Sequence, residues 1–392
     1  MTGFSYYMPV RILFGSGCLD QLSQQQIPGK TACIITTGGQ SVFRSGAYER
    51  TVAQLEACGI PSVLFNRIQA NPLRSTIMEG ASFVRENGCD LVVALGGGSV
   101  MDAAKIIAFM AVNPGDVWDY LTNGSGKKQP AEHDPLPLIC ITTTAGTGSE
   151  ANHFGVVSHE EQNEKLVFDA SEKMFPFLSI VDPELMLTIP PALTAYQGFD
   201  ALFHAVECYI SRTATPVSDM YAAEAIKHAA GWLARAVADG AGDLEAREHV
   251  ALANTLSGIV VNMCCTTGAH AIEHSMSAFH HDLPHGAGLI MIAPAFYEYF
   301  ISRHVLDERF TEMARLLGNP SADKPEDFLD ALSTLLTACH VDGLKMSEYG
   351  LTPDEFGAIA ENALETQRIL IDACPCELPY EGCLEILEKS YR

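Results

Sequence analysis

The chain has 392 residues, 47% hydrophobic and 18% charged, a composition that fits a packed globular protein of one large or two ordinary domains and excludes a disordered one. Its 48 acidic and 24 basic residues leave a net charge of −24, a field that repels nucleic acid and anionic membranes, and no basic run interrupts it. The apolar stretches are short and glycine-broken, and the N-terminus "MTGFSYYMPVRILFG" carries no signal-peptide core, so the expected setting is the cytoplasm with neither a membrane nor a nucleic-acid partner.

The first half alternates between two periods. "ACIITT" (32–37), "PSVLF" (61–65), "DLVVALG" (90–96) and "PLICITT" (137–143) are short, β-branched and bounded by glycine, proline or polar residues. Helical patterns lie between them at about 46–58, 75–87 and 99–112. Strand and helix in alternation with short connections predict a parallel, Rossmann-like α/β sheet. "FGVVSHEEQNEKLVFD" (154–169) breaks the rhythm with two apolar runs about a polar turn, the pattern of a hairpin, and "LSIVD" (178–182) supplies a last strand. Pro190 and Pro191 mark a boundary; beyond them the pattern is helical, as at 195–211, 215–239, 243–262 and 325–339. The predicted organisation is an α/β domain over 1–188 and an all-helical domain over 189–392.

Two loops in the first half carry binding chemistry. "LVVALGGGSVMDAAK" sets Gly96, Gly97, Gly98 and Ser99 between a buried strand and a helix, where backbone can approach a ligand and free N–H groups face a phosphate. It has neither the G-x-G-x-x-G spacing nor a P-loop lysine, so alone it is equally a tight turn. "TTTAGTGSE" (142–150) also follows a strand and is dense in hydroxyls. Parallel strands bring both loops to one carboxyl edge, where ligands of open α/β sheets bind, and the pair favours a nucleotide.

In the second half, "GFDALFHAVECYIS" (198–211) places Asp200 and His204 one helical turn apart among apolar neighbours. "GAHAIEHSMSAFHHDLPHG" (268–286) repeats the device with His270 and His274, and His285 follows. A buried aspartate and imidazole can simply pair, but two such helices and a further histidine make one carboxylate and three imidazoles, a ligand set for a divalent first-row metal. The twelve cysteines lack zinc-knuckle or redox spacing and read as buried thiols of a reducing compartment.

"GGGSVMDAAK", "TTTAGTGSE", "GFDALFHAVE" and "GAHAIEHSMSAF…LPHGAGLI" resemble, in order and over the whole chain, the iron-containing (group III) alcohol dehydrogenase family. The resemblance implies metal ligands at Asp200, His204, His270 and His285, with His274 beside the nicotinamide and substrate; an imidazole, titratable near neutrality, makes His274 the candidate catalytic proton relay. It implies that Gly97, Gly98 and Ser99 cradle the cofactor phosphates with Asp102 supporting the loop. Thr143, Thr144, Thr147, Lys165 and Asn71 match further cofactor contacts. NAD or NADP, Fe²⁺ as the family's ion (the ligand set alone would equally accept Zn²⁺), a small alcohol or aldehyde, and a homodimer or higher homo-oligomer complete the implied set.

Three departures stand out. The His274-to-His285 spacing is one residue longer than the family form, leaving His280 and His281 as loop surface or pocket lining. Gly38, Gly39 and Ser41 replace an acidic position after the strand at 32–37, which leaves room for the 2′-phosphate of NADP. His153 and Phe154 stand where smaller polar residues can line the substrate pocket. The predicted reaction is reversible, metal-dependent, NAD(P)-linked hydride transfer between a primary alcohol and its aldehyde. A lyase resembling dehydroquinate synthase, with the same fold, is the alternative; it calls for basic residues to hold an anionic substrate, such as Lys227 and Arg235.

Overall fold

Residues 3–392 are described by the computed structural model, and they divide into two compact units, Tyr7–Thr188 and Ile189–Arg392, the residues just before Tyr7 grouping with the latter. The first unit is built on eight strands: β1 (Arg11–Phe14), β2 (Ala32–Thr37), β3 (Ser62–Ile68), β4 (Leu91–Gly96), β5 (Leu138–Thr142), β6 (Gly155–His159), β7 (Glu164–Phe168) and β8 (Leu178–Val181). Six form one sheet in the order β1-β8-β5-β4-β2-β3, every pair parallel. Its helices are α1 (Ser41–Arg44), α2 (Ala47–Ala57), α3 (Arg74–Glu86), α4 (Gly98–Met110) and α5 (Val117–Tyr120).

A parallel sheet is covered on both faces, and strand alternation here serves both. Val92 and Ala94 of β4 join a core with Ile77, Ile107 and Phe109 of α3 and α4. Leu91, Val93 and Leu95 turn the other way, to Leu55 of α2 and Leu19 and Leu22 of the 3₁₀ segment Cys18–Gln24. The chain runs from β2 out to β3, then returns to β4 on the other side of β2. The carboxyl edge between β2 and β4 is therefore a switch point, where such sheets open a crevice. β6 and β7 pair antiparallel as the predicted hairpin, and Pro72 O accepts from Ser158 N at 2.8 Å, tying the hairpin to the segment after β3.

β1 has no counterpart in the sequence reading. "RILF" is four residues long, too short to show alternation, and it holds its place by in-register pairing with β8.

The second unit consists of α6 (Pro191–Ile210), α7 (Pro216–Asp239), α8 (Leu244–Met263), α9 (Gly268–Phe279), α10 (His285–Ile301), α11 (Asp307–Leu316), α12 (Asp327–Ala338), α13 (Phe356–Thr366), α14 (Arg368–Asp372) and α15 (Tyr380–Ser390). Pro190 caps α6 and Pro191 is its first residue, where a missing N–H costs nothing and the fixed φ suits a helix. The helix thus begins four residues before the apolar periodicity at 195 does. No single helix among the described residues is long and apolar enough to cross a membrane.

Candidate metal and cofactor sites

Helix α6 presents Asp200 and His204 on one face, α9 presents His270, and His285 is the first residue of α10. One atom organises the group. Asp200 Oδ1 lies 3.4 Å from His204 Nδ1, 3.6 Å from His270 Nε2 and 3.5 Å from His285 Nε2. Asp200 Oδ1, His204 Nδ1 and His270 Nε2 are buried with no hydrogen-bond partner, a costly state for polar atoms that face only one another. Metal–ligand bonds of about 2.1 Å in a tetrahedron put ligand atoms about 3.4 Å apart. The observed separations suit atoms arranged about a shared cation better than atoms bonded directly. Asp200, His270 and His285 also bring one ligand atom each within 4.8 Å of the others. These three fit a divalent ion, and His204 Nδ1 stands beside the same carboxylate oxygen.

The far side of two imidazoles is fixed by carboxylates that the sequence reading did not single out. Glu207, fully buried, accepts from His270 Nδ1 at 2.6 Å, from Thr267 N at 2.7 Å and from Thr267 Oγ1 at 2.9 Å. Glu273, also fully buried, accepts from His285 Nδ1 and from Ser277 Oγ. With the Nδ1 proton held outward, Nε2 is the nitrogen turned to Asp200, the arrangement that orients metal-binding histidines. A signal was present: Glu207 falls seven residues after Asp200 and three after His204, on the same face of an apolar helix.

The electrostatics follow from the geometry. Burial works against the Asp200 charge, but His204, His285 and His270 outweigh it and hold the carboxyl well below its ordinary value. Burial pushes His204 down to about 4, which leaves a neutral imidazole at neutral pH. For His270 burial also works downward, yet Glu207 and Asp200 prevail and hold it up to about 10. His274 is buried on α9, its ring 5.4 Å from that of His285 and its Nδ1 3.4 Å from Gln367 Oε1. His280 lies aside from this group, half-buried, with Nε2 3.1 Å from Glu355 Oε1; His281 is half-buried in the same loop.

The residues expected to meet a cofactor gather along the carboxyl edge of the sheet and the hairpin beside it. Gly97 caps α4 and Gly98 opens it. A Cβ on Gly97 would stand 2.7 Å from Thr144 Oγ1, and one on Gly98 2.2 Å from Thr147 Cγ2, so these glycines let two loops interlock. Thr143 N donates to Gly96 O at 3.0 Å, continuing the β4–β5 register into the loops. Ser99 is in the first turn of α4. One turn on, Asp102 accepts from Ser149 Oγ at 2.6 Å and from Val156 N at 3.0 Å. Asn71 takes a left-handed φ of 51° before the Pro72 that bonds to the hairpin, and Lys165 is buried opposite Ser158 in that hairpin. Gly38 and Gly39 lie exposed between β2 and α1, and Ser41 is the exposed first residue of α1, with no acidic side chain among them. His153 pairs with Asp169 at 3.0 Å and packs on Phe175.

The cations that the lyase alternative needs are engaged on the surface: Lys227 with Glu224, and Arg235 with Asp243 and Glu245.

Comparison with known proteins agrees with this layout. The iron-containing alcohol dehydrogenase model matches residues 9–183, and the C-terminal model of the Fe-containing alcohol dehydrogenase family matches residues 194–391. Alcohol dehydrogenase 4 of Schizosaccharomyces pombe is 34% identical over 380 residues, which cover 96% of this chain and 86% of that protein. NADH-dependent butanol dehydrogenase A of Clostridium acetobutylicum is 29% identical over the full length of both. The crystal structure of an alcohol dehydrogenase from an archaeal halo-thermophile of a Red Sea brine pool superposes with a TM-score of 0.93 at 32% identity, covering 100% of this chain and 99% of that one. The chain belongs to the iron-containing alcohol dehydrogenase family, a family of oxidoreductases.

Proposed function

We propose that the protein transfers a hydride, reversibly, between a small primary alcohol or its aldehyde and NAD or NADP, using a divalent ion at Asp200, His204, His270 and His285. The observation that carries this is the convergence of three imidazole nitrogens at 3.4–3.6 Å on one buried carboxylate oxygen. Iron(II) is the family's ion, and one carboxylate with three imidazoles accepts zinc equally. An ion held there would polarise an alcohol or carbonyl oxygen, and a bound nicotinamide would give or take the hydride.

The chain's own residues do the rest. Glu207 and Glu273 keep the protons of His270 and His285 on Nδ1, so both rings present a lone pair to the ion. His274, held by Gln367, takes up the hydroxyl proton of the alcohol and returns it to the alkoxide on reduction. The N-terminus of α4, with Gly97, Gly98 and Ser99, would receive the pyrophosphate on backbone N–H groups, flanked by Thr143, Thr144 and Thr147. Asn71 and Lys165 would hold the cofactor from the hairpin side. Gly38, Gly39 and Ser41 offer a 2′-phosphate space without an opposing carboxylate, the reason to include NADP. β1, as an edge strand of the sheet, suits pairing with a second copy, hence a homo-oligomer, and twelve free, mostly buried thiols suit a reducing, cytoplasmic setting.

The test is anaerobic purification without chelator, quantification of bound metal, and absorbance of NADH and NADPH against two- to four-carbon aldehydes. Metal-dependent oxidation of either cofactor, lost in Asp200→Ala with the fold intact, is the expected result. Bound metal without oxidation of either cofactor by any aldehyde would overturn the proposal.

A further inference from the structure

The proposed ligands come from two bodies of the helical unit: Asp200 and His204 from α6, His270 and His285 from α9 and α10. Between α9 and α10 the chain turns at 280–284, where Leu283 N donates to His280 O at 2.9 Å and Pro284 caps α10. His285 follows at once, and its side chain is 22% exposed against 12% or less for the other three. Packing alone encloses it least, so its place depends on what holds the turn.

A separate segment does so. Residues 346–355, with 3₁₀ turns at Met346–Tyr349 and Pro353–Glu355, are anchored by the buried Met346 and Leu351. At one end Glu355 Oε1 lies 3.1 Å from His280 Nε2, while its Oε2 accepts from Thr352 N at 2.9 Å and from Thr352 Oγ1 at 3.0 Å. A carboxylate bonded at both oxygens is fixed in direction, and it fixes the imidazole bonded to it. Burial works against the Glu355 charge, but Thr352 and His280 outweigh it and hold the carboxyl below its ordinary value. Gly350, at a left-handed φ of 83°, turns the backbone beside the same ring: a Cβ there would stand 3.6 Å from His280 Nδ1.

Earlier in the segment the contact is with α6. Tyr349 Oη lies 3.3 Å from the Oη of Tyr196, which stands one helical turn before Asp200. Tyr196 also backs the start of α10, since a Cβ on Gly286 would stand 2.1 Å from Tyr196 O. Residues 346–355 therefore touch both bodies, α6 beside Asp200 and the turn that delivers His285.

We infer that Glu355 is a positioning residue for the metal site: through His280 it fixes the 280–284 turn, and with Tyr349 against Tyr196 it braces that turn on α6, so that His285 keeps its distance from Asp200. Glu355 is no ligand and acts only through His280. The inference rests on the metal reading given above.

The experiment loads the metal-free protein with Co²⁺, whose visible absorption reports its coordination, and follows the loss of that absorption after a chelator is added in excess. Wild type is compared with Glu355→Met, which keeps length but accepts no bond, and with Glu355→Gln, which can still bond both partners because His280, not being a ligand, can take either tautomer. The thermal midpoint of each metal-free protein is recorded. An ion pair this exposed contributes modestly, so the expected result is loss of Co²⁺ from Glu355→Met at least about threefold faster than from wild type, with Glu355→Gln within about twofold and the metal-free midpoints unchanged. A merely structural role would lower the metal-free midpoint and leave the rate from the folded protein as it was. A folded Glu355→Met that loses Co²⁺ less than threefold faster overturns the inference, as does a Glu355→Gln that loses it as fast as Glu355→Met. If Glu355→Met does not fold, His280→Phe, which keeps a ring and donates nothing, carries the same threefold criterion. A wild-type protein that takes up no Co²⁺, or an Asp200→Ala protein that takes it up equally, overturns the metal reading itself, and this inference with it.

Discussion

Glu207→Gln is the most searching single change, because it alters the proposed metal site without touching a ligand. The carboxylate is fully buried and receives His270 Nδ1–H at one oxygen and Thr267 N–H and Oγ1–H at the other. A glutamine has nearly the same shape but only one accepting oxygen. If that oxygen stays with Thr267, the amide NH₂ faces His270 Nδ1, which must then accept. The imidazole proton moves to Nε2, the atom 3.6 Å from Asp200 Oδ1, and a protonated nitrogen has no lone pair for an ion. If the amide turns over, His270 is spared but two buried Thr267 donors lose their acceptor, at about 1–3 kcal/mol each. The first loss is the smaller: removing such a partner typically weakens metal binding by about 10–100-fold, or about 1.4–2.8 kcal/mol. The prediction is therefore a metal Kd raised 10–100-fold in competition with a calibrated chelator, while turnover per bound ion stays within a few-fold of wild type. A Glu207→Gln protein that holds metal within twofold of wild type would refute the reasoning.

The metal affinity should also depend on pH. Glu207 and Asp200 outweigh burial and hold His270 up to about 10 in the metal-free protein, so below that pH an ion must displace a proton, and its affinity should rise about tenfold per pH unit between 6.5 and 8.5; a flat titration would contradict this. The same raised value contributes stability to the metal-free fold that is fully present below 6.5 and lost as pH rises through about 10. Gly98→Ala should weaken NAD(H) binding at least about tenfold, because the new Cβ would sit 2.2 Å from Thr147 Cγ2 and force the loops apart, and equilibrium titration would show it. Arg247→Met should cost about 3 kcal/mol in denaturant unfolding, since it removes the three bonds of 2.9–3.0 Å by which the buried guanidinium joins the Gly240 and Ile189 carbonyls and the Thr194 hydroxyl; a loss below about 1 kcal/mol would count against it.

What the sequence made legible follows the physics of each element. β2, β4 and β5 are buried on both sides, so they read as β-branched apolar runs and their bounds fall within a residue or so of those observed. β1 is an edge strand of four residues whose position is decided by β8, and nothing local announces it. Asp200 with His204, and His270 with His274, were visible because helical spacing puts polar pairs on one face of apolar helices. Glu273 was not, although it stands beside His274, because its partner His285 comes from the start of the next helix and only folding brings them together. Glu355 escaped for a similar reason: His280 lies 75 residues away, and a glutamate three residues after a threonine ordinarily reads as part of a helix cap.

The balance of buried charge ties these observations together. Asp200, Glu207 and Glu273 are exposed by no more than 4%, and all three bear on the same imidazoles. Three carboxylates so placed would repel one another and would each be costly to desolvate unless positive charge lay among them. The protein can supply part of it by protonating His270, which is why that imidazole holds its proton so far above its ordinary range. A dication supplies more, at the point where Asp200 and the three rings converge, and it does so while His270 gives its proton up. The proton and the ion are alternative answers to one electrostatic demand, set by carboxylates on α6 and α9 rather than by the histidines alone. Removing a carboxylate behind a ring therefore changes how strongly the site calls for a cation as well as how well it can bind one, and both effects weaken metal binding in Glu207→Gln.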